Sequence, residues 1–348
     1  MKVLLVTPSN IIHMPYIKVY IKIFEELNIN YDLINWDRTS IEKKNHFTYN
    51  DNKRKIQRGF IDYYKYSRFI KDRYVDDTYD TVIIFGLPLT FFLNKFFQKK
   101  IHLSYILDIR DKNKIINLMN LKKMLNRINL VVLSSEKYKE WLPQREYVIN
   151  HNTTYGYHQN DNVPPINSFL RKDKYEILTI GTIRDFEINS TVLENTKSSE
   201  VFKFSYIGDG EVKEKLETFS KTLGINNVVF KGRYNPEDER ELIYNCDFVS
   251  VLRYCDSENN KTALPNRLYS ATIAGKPLVA YKGTYLAEII DYYKLGIVLD
   301  SLNNLEKELL NYIDNDFKYY TVGRNNFLDK IKGDNTNFRE SLIQILKG

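Results

Sequence analysis

Only two cysteines, Cys246 and Cys255, occur in 348 residues. The opening apolar run, Met1-Lys-Val-Leu-Leu-Val-Thr-Pro8, is too short for a signal peptide and lacks a small-residue cleavage site. Together these exclude a disulfide framework, make the cytoplasm the expected compartment, and suggest that both thiols simply pack. Long hydrophobic runs are missing as well. No window approaches the roughly 20 apolar residues of a membrane-spanning helix, so a soluble protein is expected. The five histidines are scattered and no cysteine pair has zinc-ligand spacing, so no metal site is expected. Neither a Gly-x-Ser-x-Gly elbow nor a P-loop is present.

What the chain has is basic and aromatic residues, with a net charge of +7, 27 Tyr and 19 Phe. Such a charge hints at an anionic partner: a sugar nucleotide, a phospholipid surface or nucleic acid. Lys, Asn, Ile and Tyr are abundant together, however, and biased codon usage produces the same excess. No nucleic-acid recognition motif accompanies the charge, so nucleic acid is set aside.

The length favours two domains, because single hydrophobic cores stop growing near this size. In the first half, short aliphatic runs near residues 2–7, 31–36, 80–85, 103–108, 130–134 and 146–150 read as strands. Residues 14–27 place Ile17, Val19, Ile21, Phe24 and Leu27 at positions that include one buried helical face. The second half repeats the scheme at 176–181, 203–208, 228–232, 248–252, 277–281 and 296–299. Each run is apolar and flanked by turn residues, as strands covered on both faces should be. The polar stretch 151–172, with Pro164-Pro165, reads as a linker. The expected architecture is α/β, two Rossmann-like doubly wound parallel-sheet domains at residues 1–160 and 170–329, with residues 330–348 as a helix returning to the first. Ligands of such sheets bind beyond the carboxyl ends of the strands.

Around the segment Ala263-Leu-Pro-Asn-Arg-Leu-Tyr-Ser-Ala-Thr-Ile-Ala-Gly-Lys-Pro277, a helix over 265–274 is predicted, opened by Pro265 at its first turn and closed by Gly275. Its N-terminus is a candidate anion site to which Arg267 would add a bidentate donor. The order of signals about it resembles the donor-binding domain of family 4 type GT-B glycosyltransferases, the group 1 enzymes of capsular and exopolysaccharide type. The matching pieces are Ile180-Gly-Thr-Ile-Arg184, Ile207-Gly-Asp-Gly-Glu211, Val229-Phe-Lys-Gly232, Asn245-Cys-Asp-Phe-Val-Ser-Val251, Leu264-Pro-Asn-Arg-Leu268 and Ala274-Gly-Lys-Pro-Leu-Val279.

The resemblance implies two domains facing a cleft and transfer of a hexosyl unit, with retention at the anomeric carbon, from a nucleotide-sugar donor to a glycan or lipid-linked saccharide in polysaccharide biosynthesis. No cofactor is implied beyond the donor itself. The donor contacts it implies fall on Gly181, Arg184, Gly208, Gly210, Glu258, Thr262, Leu264, Pro265, Asn266, Arg267 and Ser270. Arg184 and Arg267 are the candidates for the diphosphate, where negative charge develops. Two departures stand out. The family commonly has glutamates at the positions of Thr262 and Ser270, the later one holding the donor ribose, and its basic pair after the first strand survives only as Arg184 before Asp185-Phe186.

In the first half, Ile106-Leu-Asp-Ile-Arg-Asp111 resembles the family's acceptor-side Asp-x-Arg-Asp element, making Asp108 a catalytic candidate and Arg110 and Asp111 acceptor contacts; the alternative is an Arg110 ion pair with either carboxylate. Ser9 and His13, in the loop after the first strand, are further acceptor candidates, and Asn150-His151-Asn152 would line the cleft or begin the linker. Residues 52–75 form a basic amphipathic pattern, with Ile56, Phe60, Tyr63, Ile70 and Tyr74 near one face. It suits either peripheral contact with an anionic membrane or packing on its own domain with a solvated basic face. The rival functional classes are a GT-B-fold sugar-nucleotide epimerase and a non-catalytic binding or assembly protein.

Overall fold

The computed structural model describes the chain except residues 44, 52, 54–56, 158–162, 165–171 and 348. Part of the linker stretch, and Ile56 of the basic pattern, lie outside the described residues. The chain divides into two units, residues 1–159 with 331–348, and residues 160–330.

Unit 1 carries a parallel sheet of β1 (Lys2–Val6), β2 (Asn30–Trp36), β3 (Thr48–Tyr49), β4 (Thr81–Phe85), β5 (Ser104–Ile109), β6 (Leu130–Leu133) and β7 (Val148–Ile149). Its order is β3-β2-β1-β4-β5-β6-β7. Every residue of β4 is buried, the mark of a parallel strand covered on both faces. Val3, Leu5, Ile83, Phe85 and Ile106 pack against Ile17, Tyr20, Ile23 and Phe24 of the helix Ile17–Glu26 and against Phe338, Leu342 and Leu346 near the C-terminus.

Unit 2 carries β8 (Tyr175–Thr182), β9 (Phe202–Asp209), β10 (Val228–Lys231), β11 (Phe248–Ser250), β12 (Leu278–Tyr281) and β13 (Gly296–Leu299), ordered β10-β9-β8-β11-β12-β13 and again parallel. Each sheet starts at its centre, grows to one side, then reverses, so order switches between β1 and β4 and between β8 and β11. The helix Tyr320–Lys347 runs through the unit boundary, its residues up to Lys330 counted in unit 2 and those from Ile331 in unit 1. Arg324 fixes its first part by donating to the carbonyls of Thr272 (2.7 Å) and Ile273 (2.7 Å), the open end of the helix Asn266–Ala274.

The basic pattern before β4 differs from its sequence reading. The helix spans Phe60–Arg73 and buries Asp62, Tyr66, Ser67 and Ile70, whereas Phe60 is 53% exposed. Tyr66 decides the orientation: its ring packs on Trp36 at 4.7 Å and its hydroxyl lies 2.9 Å from the Thr7 carbonyl. Much of the charge is spent locally. Arg58, with a fully covered side chain, pairs with Asp51; Lys53 pairs with Asp62; Arg73 stacks on Phe69. Among the described residues no helix is long and apolar enough to cross a membrane.

Candidate functional site

Where unit 2 switches strand order, the chain leaves β8 through Ile183, Arg184 and Asp185, the last in the left-handed region at φ 58°. From β11 it runs through Arg253 and the short helix Glu258–Thr262 to the helix Asn266–Ala274. Pro265 stands one position earlier than the sequence suggested. It caps this helix with extended geometry (φ −76°, ψ 155°), and Gly275 closes it at φ 75°, a left-handed conformation that suits glycine.

These segments gather three arginines around Asp185. Burial raises that carboxyl above its ordinary range and Asp256 pushes the same way, opposed by Arg184, Arg267 and Arg253. Arg267 is half-buried, and burial together with neighbouring Arg184 makes its charge harder to hold. Among the described residues neither the Arg184 nor the Arg267 guanidinium donates a hydrogen bond. Arg253, by contrast, is committed to the Ala263 carbonyl at 2.5 Å, steadying the entry to the helix. Two like charges held together without a bonded anion form a site that an incoming diphosphate would relieve.

Two residues that the sequence reading passed over complete this end of unit 2. The Tyr234 hydroxyl donates to Glu239 Oε2 at 2.8 Å, and Ser270 Oγ donates to Glu239 Oε1 at 3.2 Å. A side chain built at Gly181 would stand 3.8 Å from the Tyr234 hydroxyl, which places that oxygen at the carboxyl end of β8. Burial, then the Glu239 bond, raises the Tyr234 pKa, so the hydroxyl stays a donor. The available signal was position alone, since Tyr234 follows the Val229-Phe-Lys-Gly232 element by two residues.

The other donor candidates divide. Gly208 and Gly210 are required by the neighbouring backbone: a Cβ at either would fall 1.9 Å from the Gly181 carbonyl or 2.1 Å from that of Ile183. Thr262 is buried and its hydroxyl donates to Glu258 O at 2.6 Å, within its own helical turn. Leu264 is buried, while Glu258 and Asn266 are exposed. Of the two thiols only Cys246 packs; Cys255 is exposed.

In unit 1 the candidates at the end of β5 turn inward. Asp108 is fully buried; its two oxygens receive Arg110 in a two-point pair at 2.6 Å each, and the Tyr20 hydroxyl at 2.7 Å. Arg110 also donates to Asn150 O (3.0 Å) and Asn152 Oδ1 (2.8 Å), and its guanidinium lies 4.0 Å from the Tyr16 ring centre. Burial opposes its charge, but Asp108 prevails and its pKa is raised. The ion-pair alternative for this element therefore describes the observed geometry, and Asp108 has no oxygen open to a ligand. Asp111 and His13 are exposed, and Ser9 is half-buried. His151 is buried against Asp334 at 2.9 Å, which ties the segment after β7 to the C-terminal helix. Among the described residues no group of three or more His, Cys, Asp or Glu is placed to hold a metal.

Residues 166–325 match the family Glycosyl transferases group 1. No curated protein sequence matches the chain. Among solved structures, sucrose-phosphate synthase from Thermosynechococcus elongatus shares 11% identity over 100% of both chains, with a TM-score of 0.73. HepE from Anabaena, solved with UDP and glucose, shares 13% identity over 99% of this chain and 100% of that one, with a TM-score of 0.61. WaaG, a glycosyltransferase involved in lipopolysaccharide biosynthesis, shares 12% identity over 98% and 99%, with a TM-score of 0.63. Identities this low carry the fold, whereas the family match carries the domain. The chain thus has a Glycosyl transferases group 1 domain within a GT-B fold of two Rossmann-like units, and it is a glycosyltransferase.

Proposed function

We propose that the protein transfers a hexosyl unit from a nucleotide-sugar donor bound by unit 2 to a glycan or lipid-linked saccharide, with retention at the anomeric carbon. The observation that carries this is that Arg184, two residues after β8, and Arg267, in the first turn of the helix Asn266–Ala274, are brought to the strand-order switch of unit 2, where each opposes the other's charge. The diphosphate of a leaving nucleotide offsets that repulsion, and the repulsion returns when it departs. Positive charge at the leaving group then comes from guanidinium groups, with no metal called upon. HepE, a structural neighbour, is solved with UDP and glucose, which supports a donor of this chemistry.

In this scheme Asp108 positions rather than reacts. It holds Arg110, and with it the end of β5, while Ser9, His13 and Asp111 present polar groups to an acceptor. A peripheral contact with an anionic membrane would use exposed Phe60, Ile61 and Tyr64, flanked by exposed Lys65 and Arg68. Retention of binding to phosphatidylglycerol vesicles by Ile61→Asp would remove that contact. The central test is nucleoside diphosphate release from UDP-, GDP- and ADP-sugars with and without saccharide acceptors. Acceptor-dependent release supports transfer, an interconverted sugar nucleotide supports the epimerase alternative, and no thermal shift with any donor sinks both.

A further inference from the structure

Unit 1 holds a cavity of about 90 Å³ between the helix Ile17–Glu26, the segment that follows β7, and the C-terminal helix. Its interior is apolar: Val19 and Ile23 are buried, and Tyr157 forms a further wall. Its outer lining is cationic, with Lys18 exposed and Lys22 and Arg339 half-buried. Lys18 and Lys22 lie one turn apart on the same helix face, a like-charge spacing that weakens a helix. One carboxylate lines the cavity, Glu26, and two of the cations share it, Arg339 at 3.1 Å and Lys22 at 3.9 Å. Three cations against one carboxylate leave two positive charges in excess. A phosphate monoester carries about −1.5 to −2 at neutral pH, which matches that excess. An apolar cavity of about 150 Å³ takes the six carbons of benzene, so this smaller space suits a tail of about four.

We propose that this cavity is a binding site for a small aliphatic phosphate, with its tail on Val19 and Ile23 and its phosphate between Lys18, Lys22 and Arg339. The site belongs to unit 1 and does not depend on the donor reading of unit 2. Tyr157 connects it to the end of β5. Its hydroxyl lies 3.0 Å from the Asn150 carboxamide, and the Asn150 carbonyl accepts from Arg110 at 3.0 Å. A ligand seated against Tyr157 therefore bears on the network that holds Arg110.

The test is calorimetric titration of the whole chain with n-butyl phosphate, inorganic phosphate and valerate. Each buried methylene is worth about fourfold in affinity, so butyl phosphate is expected to bind the wild type about tenfold or more tighter than inorganic phosphate. Valerate, with one negative charge, should bind more weakly than butyl phosphate. Thr154→Trp, at an exposed position in the cavity wall, should close the space and cut the preference for the butyl ester to about twofold, with the melting temperature in place. Lys18→Glu should weaken both phosphates by about tenfold and keep the preference between them. The arginines of unit 2 also attract phosphate, so the titrations are repeated in Arg267→Ala, where the preference should persist. Equal affinity for the two phosphates, a preference that survives in folded Thr154→Trp, or one lost with Arg267→Ala overturns the site. Valerate that binds as tightly as butyl phosphate overturns the assignment to a phosphate. Should Thr154→Trp not fold, the decision rests on Lys18→Glu, in which unchanged affinity overturns the site.

Discussion

The two sheets share a topology and differ in what they do with charge at their carboxyl ends. In unit 1, Arg110 is completely answered: Asp108 takes two of its bonds, Asn150 and Asn152 take others, and Tyr16 covers its face. In unit 2, Arg184 and Arg267 stand together, and Asp185, Tyr234 and Glu239 offset the charge of Arg267 without overcoming its burial and the repulsion of Arg184. A buried charge that the protein answers itself is part of the architecture. The pair that the protein leaves without a bonded anion is where we propose that the donor diphosphate binds.

The strongest way to break this comparison is Arg110→Met. Removing one partner of a buried pair leaves Asp108 without compensation and should cost about 3–5 kcal/mol of stability, read as a large drop in melting temperature; an unchanged melting temperature would mean that the pair is dispensable. Next in size is Arg267→Ala, which should lose about 2 kcal/mol of nucleoside diphosphate binding, roughly thirtyfold, with folding intact. The same replacement at exposed Arg184 should act in the same direction but less, and unchanged affinity there removes it from the site. A smaller effect, of opposite sign, is expected for Asp185→Asn. Withdrawing the carboxylate that competes for the arginines should tighten diphosphate binding by about threefold, and weaker binding would show that Asp185 contributes to the ligand site.

The comparison also has a pH arm. Because the Asp185 pKa is raised, the folded state holds that proton more firmly than the unfolded chain. Its effect therefore favours folding below the ordinary Asp range and is lost as pH rises through the shifted value. Asp37 has the opposite sign. Burial opposes its charge, but the Asn10 side chain and the backbone N–H groups of Ile41, Glu42 and Thr39 prevail and lower its pKa. Its stabilisation is present above about pH 4 and fades as pH falls through the lowered value. Asp37→Asn should flatten the acid limb of the stability curve, and Asp185→Asn should not. Least in energy is thiol labelling: exposed Cys255 should react first, while Cys246, buried and with its pKa pushed up to about 12, should stay silent until unfolding.

The sequence reading located all the principal strands because buried parallel strands are continuous apolar runs between turn residues, a signal that survives without any knowledge of neighbours. It missed β3, whose two residues are too few to show a period. The orientation of the helix Phe60–Arg73 was illegible for another reason. Aromatic residues surround that helix, and it is the socket beside Trp36, in a distant strand, that selects Tyr66 over Phe60. At the candidate site the arginines were visible through their places after β8 and in the first turn of the Asn266–Ala274 helix. Glu239 was not, because nothing in a run of four acids says which one turns inward.

The helix Tyr320–Lys347 also bears on the order of assembly. Since Phe338, Leu342 and Leu346 fill the core of the first unit, that unit, though its sheet is made before unit 2, stays unfinished until residues that follow unit 2 have emerged. Unit 2 can close in the meantime, so the piece translated later is free to fold first.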